Sequence, residues 1–269
     1  MPDTGRVPRV DLNADLGESD RLTGADLAVL DVVTSANVAC GFHAGGPEVM
    51  AATAEACVAR GVAIGAHVSY RDRAGFGRRP VDVALDRLAA DVGEQWEALV
   101  AEAARAGADV TYVKAHGALY HAVAVDPEVA AAVLGALGPD CRTVVLPPGS
   151  AAAAEAARAG LRVVVEGFPD RAYDPDGALA DRSRPGAEVD SSDEVAARAA
   201  CMVLRSGVAA HDGTWVDLAV ETLCIHGDHP EAPVRARAVR RALESAGITV
   251  AAFDAPDGLP GSETPPRSP

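Results

Sequence analysis

Seven histidines occur in the chain, and four of them, His43, His67, His116 and His226, stand at or just past the ends of short β-rich runs. Comparable positions carry Asp11, Asn13 and Asp15 in the first run, Lys114 in the fourth, Glu166, Asp170 and Arg171 around the sixth, and Asp228 near His226. Imidazoles and carboxylates gathered at one place can titrate near neutral pH, serve as general acid and base, or hold a divalent cation that activates water. Asp15 with His43, His67 and His116 is the set expected to hold such a cation, although no close-spaced HxH or HExxH pair marks it. Lys114, in VKAHGALYH, is the one lysine of a chain that otherwise writes its cationic side chains as arginine. A compact ammonium on a flexible stem suits the stabilisation of a developing oxyanion or a phosphoryl group.

Each residue also has a plainer reading. Asp11 and Asn13 are types that bond the backbone in acidic turns. His67 and His226, taken singly, read as satisfied core histidines. Cys40 reads as a small buried residue at a strand end rather than a nucleophile, because no base stands demonstrably beside it.

The elements that would bring these residues together are legible as an alternation. Strand candidates are RVDLNA, VTSANVAC, VAIGAHV, VTYVKAH, RTVVLP, RVVVEGF and VETLCIHG, and most precede a helical stretch, at 47–60, 82–106, 127–137, 150–159, 191–206 or 231–246. This rhythm predicts parallel strands with helices outside, and seven such units suit a closed or nearly closed α/β barrel. In that architecture the C-terminal strand ends converge on one mouth. The stretch RAYDPDGALADRSRPGAEV, 171–189, is long for a connection and is expected to form a lid or substrate loop. One barrel domain is expected over 1–254, followed by a polar, proline-rich, disordered tail over 255–269.

Composition excludes several classes. The 269 residues carry 24 Lys and Arg against 39 Asp and Glu, a formal charge of −15, so a nucleic-acid partner is not expected. Five cysteines without a CxxC pair point to reduced thiols in a cytoplasm. No apolar run approaches membrane-spanning length, so no membrane association is expected.

The blocks DLNADLGE, SANVACGFHAG, IGAHVSY with GFGRR, VKAHGALY, DRAYDPDGAL with RPGA, and CIHGDHP carry a resemblance. Over residues from Val10 to about Phe253 the chain resembles the LamB/YcsF family, the A subunits of bacterial ATP-dependent 5-oxoprolinases. The resemblance implies a deviant TIM-like barrel of seven strands, related to the glycoside hydrolase and deacetylase barrels. It also implies cleavage of 5-oxoproline to glutamate, coupled to ATP hydrolysis and carried out with subunits B and C. Val68 and Ala115 stand where the family usually has proline, Gly46 replaces a frequent aspartate, and ESD at 18–20 replaces a glycine-rich continuation. Looser backbone placement of His67 and His116 is expected from the two missing prolines.

Opening a lactam requires a base for water, an acid for the ring nitrogen and a stabiliser for the oxyanion. Against that reaction, Asp15 or His116 is the expected base, His43 the acid and Lys114 the stabiliser. Asp11, Asn13, His67, Glu166, Asp170, Arg171, His226 and Asp228 are expected to bind substrate. A Walker A loop needs GxxxxGK[ST], which a chain with its one lysine in VKAHG lacks, so ATP is expected to be handled by the partner subunits. Two other functions fit the same residues: a stand-alone metal-dependent deacetylase or amidohydrolase, and a non-catalytic module that binds a carboxylated ligand. Lys114 and His116, two apart in an extended segment, should face the same side at a wet mouth, where replacing either costs little stability.

Overall fold

The structure, a computed structural model, describes residues 7–227, 229 and 231–253. Seven parallel strands form a closed barrel: β1 (Arg9–Leu16), β2 (Ser35–Ala39), β3 (Ala63–Val68), β4 (Val110–Ala115), β5 (Thr143–Leu146), β6 (Arg162–Gly167) and β9 (Thr222–Ile225). Each pairs with the next in that order, and β9 closes the ring by pairing with β1 from Asp11↔Thr222 to Ala14↔Ile225. Three elements lie outside the ring. The short strands β7 (Gly207–Ala209) and β8 (Trp215–Asp217) make an antiparallel hairpin, and β10 (Thr249–Val250) pairs with the start of β1.

Helices follow the strands because the sequence supplies their start signals. The helix α1 (Gly24–Leu30) opens with a capping box between Thr23 and Asp26. The helix α2 (Pro47–Val58) has proline in its first turn, where the missing N–H is not needed. In α3 (Leu85–Arg105), Leu88, Val92, Trp96, Leu99 and Ala103 are buried at helical spacing against the barrel. The helix α4 (Gly117–Val125) starts directly after His116, and Asp126 caps α5 (Pro127–Gly135) by accepting from Glu128 and Val129. The helices α6 (Ala152–Arg158), α7 (Ser192–Arg205) and α8 (Ala232–Ser245) complete the outer layer. No single described helix is long and apolar enough to cross a membrane.

Strand alternation sorts each strand into two faces. In β1, Leu12, Ala14 and Leu16 join the main core under the helices, while Asp11, Asn13 and Asp15 bond to polar groups across the barrel interior. The floor of that interior is apolar: Tyr112, Val145 and Val164 pack together with Ala63 and Phe253. The Tyr112 ring crosses so close to β3 that a Cβ on Gly65 would lie 2.1 Å from it, which is why position 65 carries no side chain.

The elements expected from sequence over β1–β6 and β9 and over α2, α3, α5, α6, α7 and α8 are present with shifted ends. The expected tail at 255–269 and Asp228 lie outside the described residues.

Candidate active site

Above the floor, the barrel holds a column of buried polar groups that bond to one another. Asp11 accepts from Thr34, Ser35 and Thr222. The Asn13 amide donates to Glu166 Oε1 at 3.1 Å and Thr222 Oγ1 at 2.7 Å, and Asn37 donates to Asn13 at 2.8 Å and Asp15 at 2.7 Å. Lys114 closes the column from β4, its Nζ 3.0 Å from Asp15 and 2.8 Å from Glu166. Burial works against the charge of Lys114, but Asp15, Cys224 and Glu166 outweigh it and hold the pKa well above the ordinary lysine range. Burial likewise opposes ionisation of Asp15, and His67 and Lys114 together still hold its carboxyl well below the usual range.

This placement corrects two expectations. Lys114 is 2% exposed, so it is part of the interior rather than of a wet mouth, although its side chain forms part of the cleft wall. Asp11, Asn13 and Glu166, expected as substrate contacts, do not line the cleft and are engaged with each other and with neighbouring hydroxyl and ammonium groups.

At the mouth, three imidazoles from the C-terminal sides of three successive strands meet. His43 comes from the loop after β2, His67 from the end of β3 and His116 from the junction of β4 and α4. The His43 and His116 rings stack with centroids 3.9 Å apart, and His67 meets both edge-on. Burial, then the neighbouring His67, lowers His43 to about 2 and His116 to about 3, so both rings are neutral at physiological pH. Glu18, from the connection after β1, reaches over them, with Oε1 3.2 Å from His43 Nε2 and 3.5 Å from His116 Nδ1.

The GFGRR segment locks this cluster. Phe76 adopts the left-handed conformation (φ 54°), which directs its carbonyl to His116 Nε2 at 2.9 Å and lays its ring edge-on to His43 and His116. Such a backbone conformation costs a bulky residue about 1–3 kcal/mol and persists only where the surroundings over-determine it. Gly77 follows at φ +65°, where a Cβ would lie 2.9 Å from His116 and 3.0 Å from His43. The missing prolines do not loosen the histidines: His67 pairs with Lys114 and Val68 with Ala115 in the β3–β4 ladder, and His116 N donates to Val68 O at 2.8 Å.

The far wall comes from β6, β9 and the expected substrate loop. The cleft, about 620 Å³, is lined by Asp15, Glu18, His67, Lys114 and His116 on one side and by Phe168, Arg171, Arg182 and His226 on the other. The loop over 171–189 has no helix or strand of its own and is tied by the bridges Arg171↔Glu188 and Tyr173↔Leu179. Arg171 pins this loop, donating to Ala187 O and Ala180 O. Asp170, expected to touch substrate, instead holds His226 Nδ1 at 2.6 Å, and Arg182 donates to His226 Nε2 at 2.9 Å.

Among the described residues, two groups have the donor types and spacing to hold a metal ion: Glu18 with His43, His67 and His116, and Asp15 with Cys224 and His226. The second already has a cation in it, since Lys114 Nζ lies 3.0 Å from Asp15 and 3.1 Å from Cys224 Sγ. In the first, Glu18 takes the place expected of Asp15. Glu18 and Arg182 are the residues that sequence reasoning missed, because both lie in connections where no periodicity fixes direction. Cys40 is buried, its thiol pushed up to about 12 by burial and bonded to Val38 O, so it is no nucleophile. All five cysteines are free.

The comparisons with known proteins agree with this architecture. The chain is 50% identical over 248 residues to the 5-oxoprolinase A subunit of Mycobacterium avium, covering 91% of this chain and 98% of that one. It is 45% identical over 263 residues to the 5-oxoprolinase A subunit of Symbiobacterium thermophilum, covering 96% and 98%. The crystal structure of a lactam utilization protein from Thermus thermophilus superposes with a TM-score of 0.84 at 44% identity, over 91% of this chain and all of that one. A cellobiose-phosphate cleavage protein from Enterococcus faecalis, at 14% identity and a TM-score of 0.53, shares the fold alone. With the model of the LamB/YcsF family matching residues 10–257, the chain belongs to that family.

Proposed function

We propose that this chain is the A subunit of an ATP-dependent 5-oxoprolinase, a single catalytic domain that hydrolyses the lactam of 5-oxoproline to glutamate in the cytoplasm with partner subunits B and C. The observation that carries the reading is the two-sided cleft. One wall offers imidazoles, a carboxylate and an ammonium for amide hydrolysis, and the other offers guanidinium groups for an acidic substrate. The names of relatives about 50% identical over most of the chain support it.

In this reading the base is an imidazole rather than Asp15, whose carboxylate is taken up by Lys114 and Asn37. With no cation in the cluster, His116 Nδ1 or His67 Nε2 takes the proton of the attacking water; with a cation bound, both atoms hold it instead. Lys114, held as an ammonium, faces the carbonyl oxygen as negative charge develops. Arg182, whose present partners are the His226 lone pair and Glu188, meets the substrate carboxylate. A divalent cation fits beside Glu18, His43, His67 and His116, where it would supply Lewis-acid polarisation of the amide or of water. ATP is handled by the partners, in keeping with the absence of a Walker A lysine from this sequence.

The test is glutamate release from 5-oxoproline by the chain alone and with subunits B and C, each with and without ATP. Release only in the complete ATP-containing mixture is expected. Release by the chain alone without ATP would instead make it a stand-alone amidohydrolase, and no release in any mixture, with ligand binding retained, would leave a binding module.

A further inference from the structure

The hydrogen bonds around the three imidazoles place one N–H on each ring. His67 Nδ1 lies 3.1 Å from the carbonyl oxygen of Lys114, and His116 Nε2 lies 2.9 Å from that of Phe76. A carbonyl only accepts, so both of those nitrogens carry hydrogen. His43 Nδ1 lies 3.0 Å from Ser69 Oγ, whose own proton is directed to the Tyr70 carbonyl at 3.0 Å. Ser69 therefore accepts, and His43 Nδ1 is also an N–H. A neutral imidazole has one N–H, so in their neutral forms the rings present His43 Nε2, His67 Nε2 and His116 Nδ1 as ligand lone pairs.

Those three lone pairs point at one another and at a carboxylate. His67 Nε2 lies 3.0 Å from His116 Nδ1 and 3.4 Å from Asp15 Oδ2. Glu18 Oε1 lies 3.2, 3.5 and 3.9 Å from His43 Nε2, His116 Nδ1 and His67 Nε2. Ligand atoms in a tetrahedral site with bonds of about 2.0–2.1 Å lie roughly 3.3 Å apart, inside the range of these separations. Second atoms anchored by carbonyl or hydroxyl groups are also how metal-ligating histidines are held.

We infer that Glu18, His43, His67 and His116 form a binding centre for one divalent transition-metal ion of the zinc class, with Glu18 Oε1, His43 Nε2, His67 Nε2 and His116 Nδ1 as ligand atoms. Three imidazoles to one carboxylate selects against magnesium, which takes oxygen ligands, and in favour of zinc or cobalt. The inference deepens the cation in the proposed reaction and rests on that reading only for the ion's use, since binding follows from the hydrogen-bond geometry alone.

The experiment uses the full chain without a polyhistidine tag, dialysed against cobalt(II) or zinc(II), with metal content by elemental analysis and the visible spectrum of the cobalt form. About one ion per chain is expected, with the intense bands of a tetrahedral cobalt centre. Glu18→Gln should weaken cobalt affinity roughly tenfold or more with an unchanged circular dichroism spectrum, and His67→Ala should weaken it further. His211→Ala, remote from the cluster, should bind as wild type does. A wild-type chain that takes up neither metal means that a shared proton fills the gap between His67 and His116, and the inference falls. It falls equally if Glu18→Gln binds cobalt as tightly as wild type. Stoichiometric cobalt in a chain that releases no glutamate with its partners leaves the centre standing and removes the proposed reaction.

Discussion

Two polar regions lie a few ångströms apart in this barrel and are built on opposite terms. In the interior column, groups of opposite kind are set against each other: the Lys114 ammonium sits between the Asp15 and Glu166 carboxylates, and Asn13 and Asn37 bridge their neighbours. In the mouth cluster, groups of the same kind are forced together, three imidazoles and a carboxylate with their lone pairs converging. A matched column resists change, because removing one partner strands the others out of reach of water. A cluster of converging acceptors is held by its surroundings at a cost and is completed by something that binds. Burial alone therefore separates structural from functional polarity poorly here, since Lys114, His43 and His67 are all nearly inaccessible.

The largest effect should come from the column. Lys114→Met leaves Asp15 and Glu166 buried without their cation and is expected to cost about 3–5 kcal/mol of stability, measured by urea unfolding. A loss below about 1 kcal/mol would mean that the column is no more structural than the mouth. Gly65→Ala drives a methyl group into the Tyr112 ring and should cost about 1–3 kcal/mol, read in the same unfolding series. An unchanged midpoint would show that the floor can yield.

At the mouth the balance should reverse. Ser69→Ala removes the acceptor that fixes His43 and should lower stability by only about 1 kcal/mol while weakening cobalt binding roughly 10- to 100-fold. Equal affinity in the variant would detach the serine from the cluster. The smallest structural effect belongs to the exposed Arg182. Arg182→Gln should leave the melting temperature unchanged but raise KM for 5-oxoproline roughly tenfold or more, with little effect on kcat or on the neutral analogue 2-pyrrolidinone. A matching rise for both compounds would place the carboxylate elsewhere.

The ring of strands could be read from the sequence because every strand but the fifth, RTVVLP, carries a polar residue at or just past the end of a β-rich run. The alternation within DLNAD and VKAH sorts residues to a face. It does not give depth, and so Lys114 and His116, two apart, differ in what they touch: the first is clamped in the column and the second closes the histidine cluster. Helix α4 escapes sequence reading because GALYHAVAV has almost no polar stripe and begins with Gly117 at positive φ. The hairpin of β7 and β8 has three residues a side, too few for a period, and is held by Trp215 lying over Gly207. Glu18 stands two residues past β1, beyond the alternation that sorts Asp11, Asn13 and Asp15, and only the three-dimensional path of its connection brings it to the imidazoles.

The apolar floor has a consequence for traffic. Tyr112 and Phe253 meet edge-on there, with ring centroids 5.1 Å apart, and Arg162 fastens this segment by donating to the Phe253 carbonyl at 2.8 Å. Within the described residues the barrel is thus a cup rather than a tube, and whatever enters over the 171–189 loop must leave the same way. For the proposed reaction, the ring-opened product, longer and more charged than the lactam, has to back out past Arg182 before the next substrate can enter.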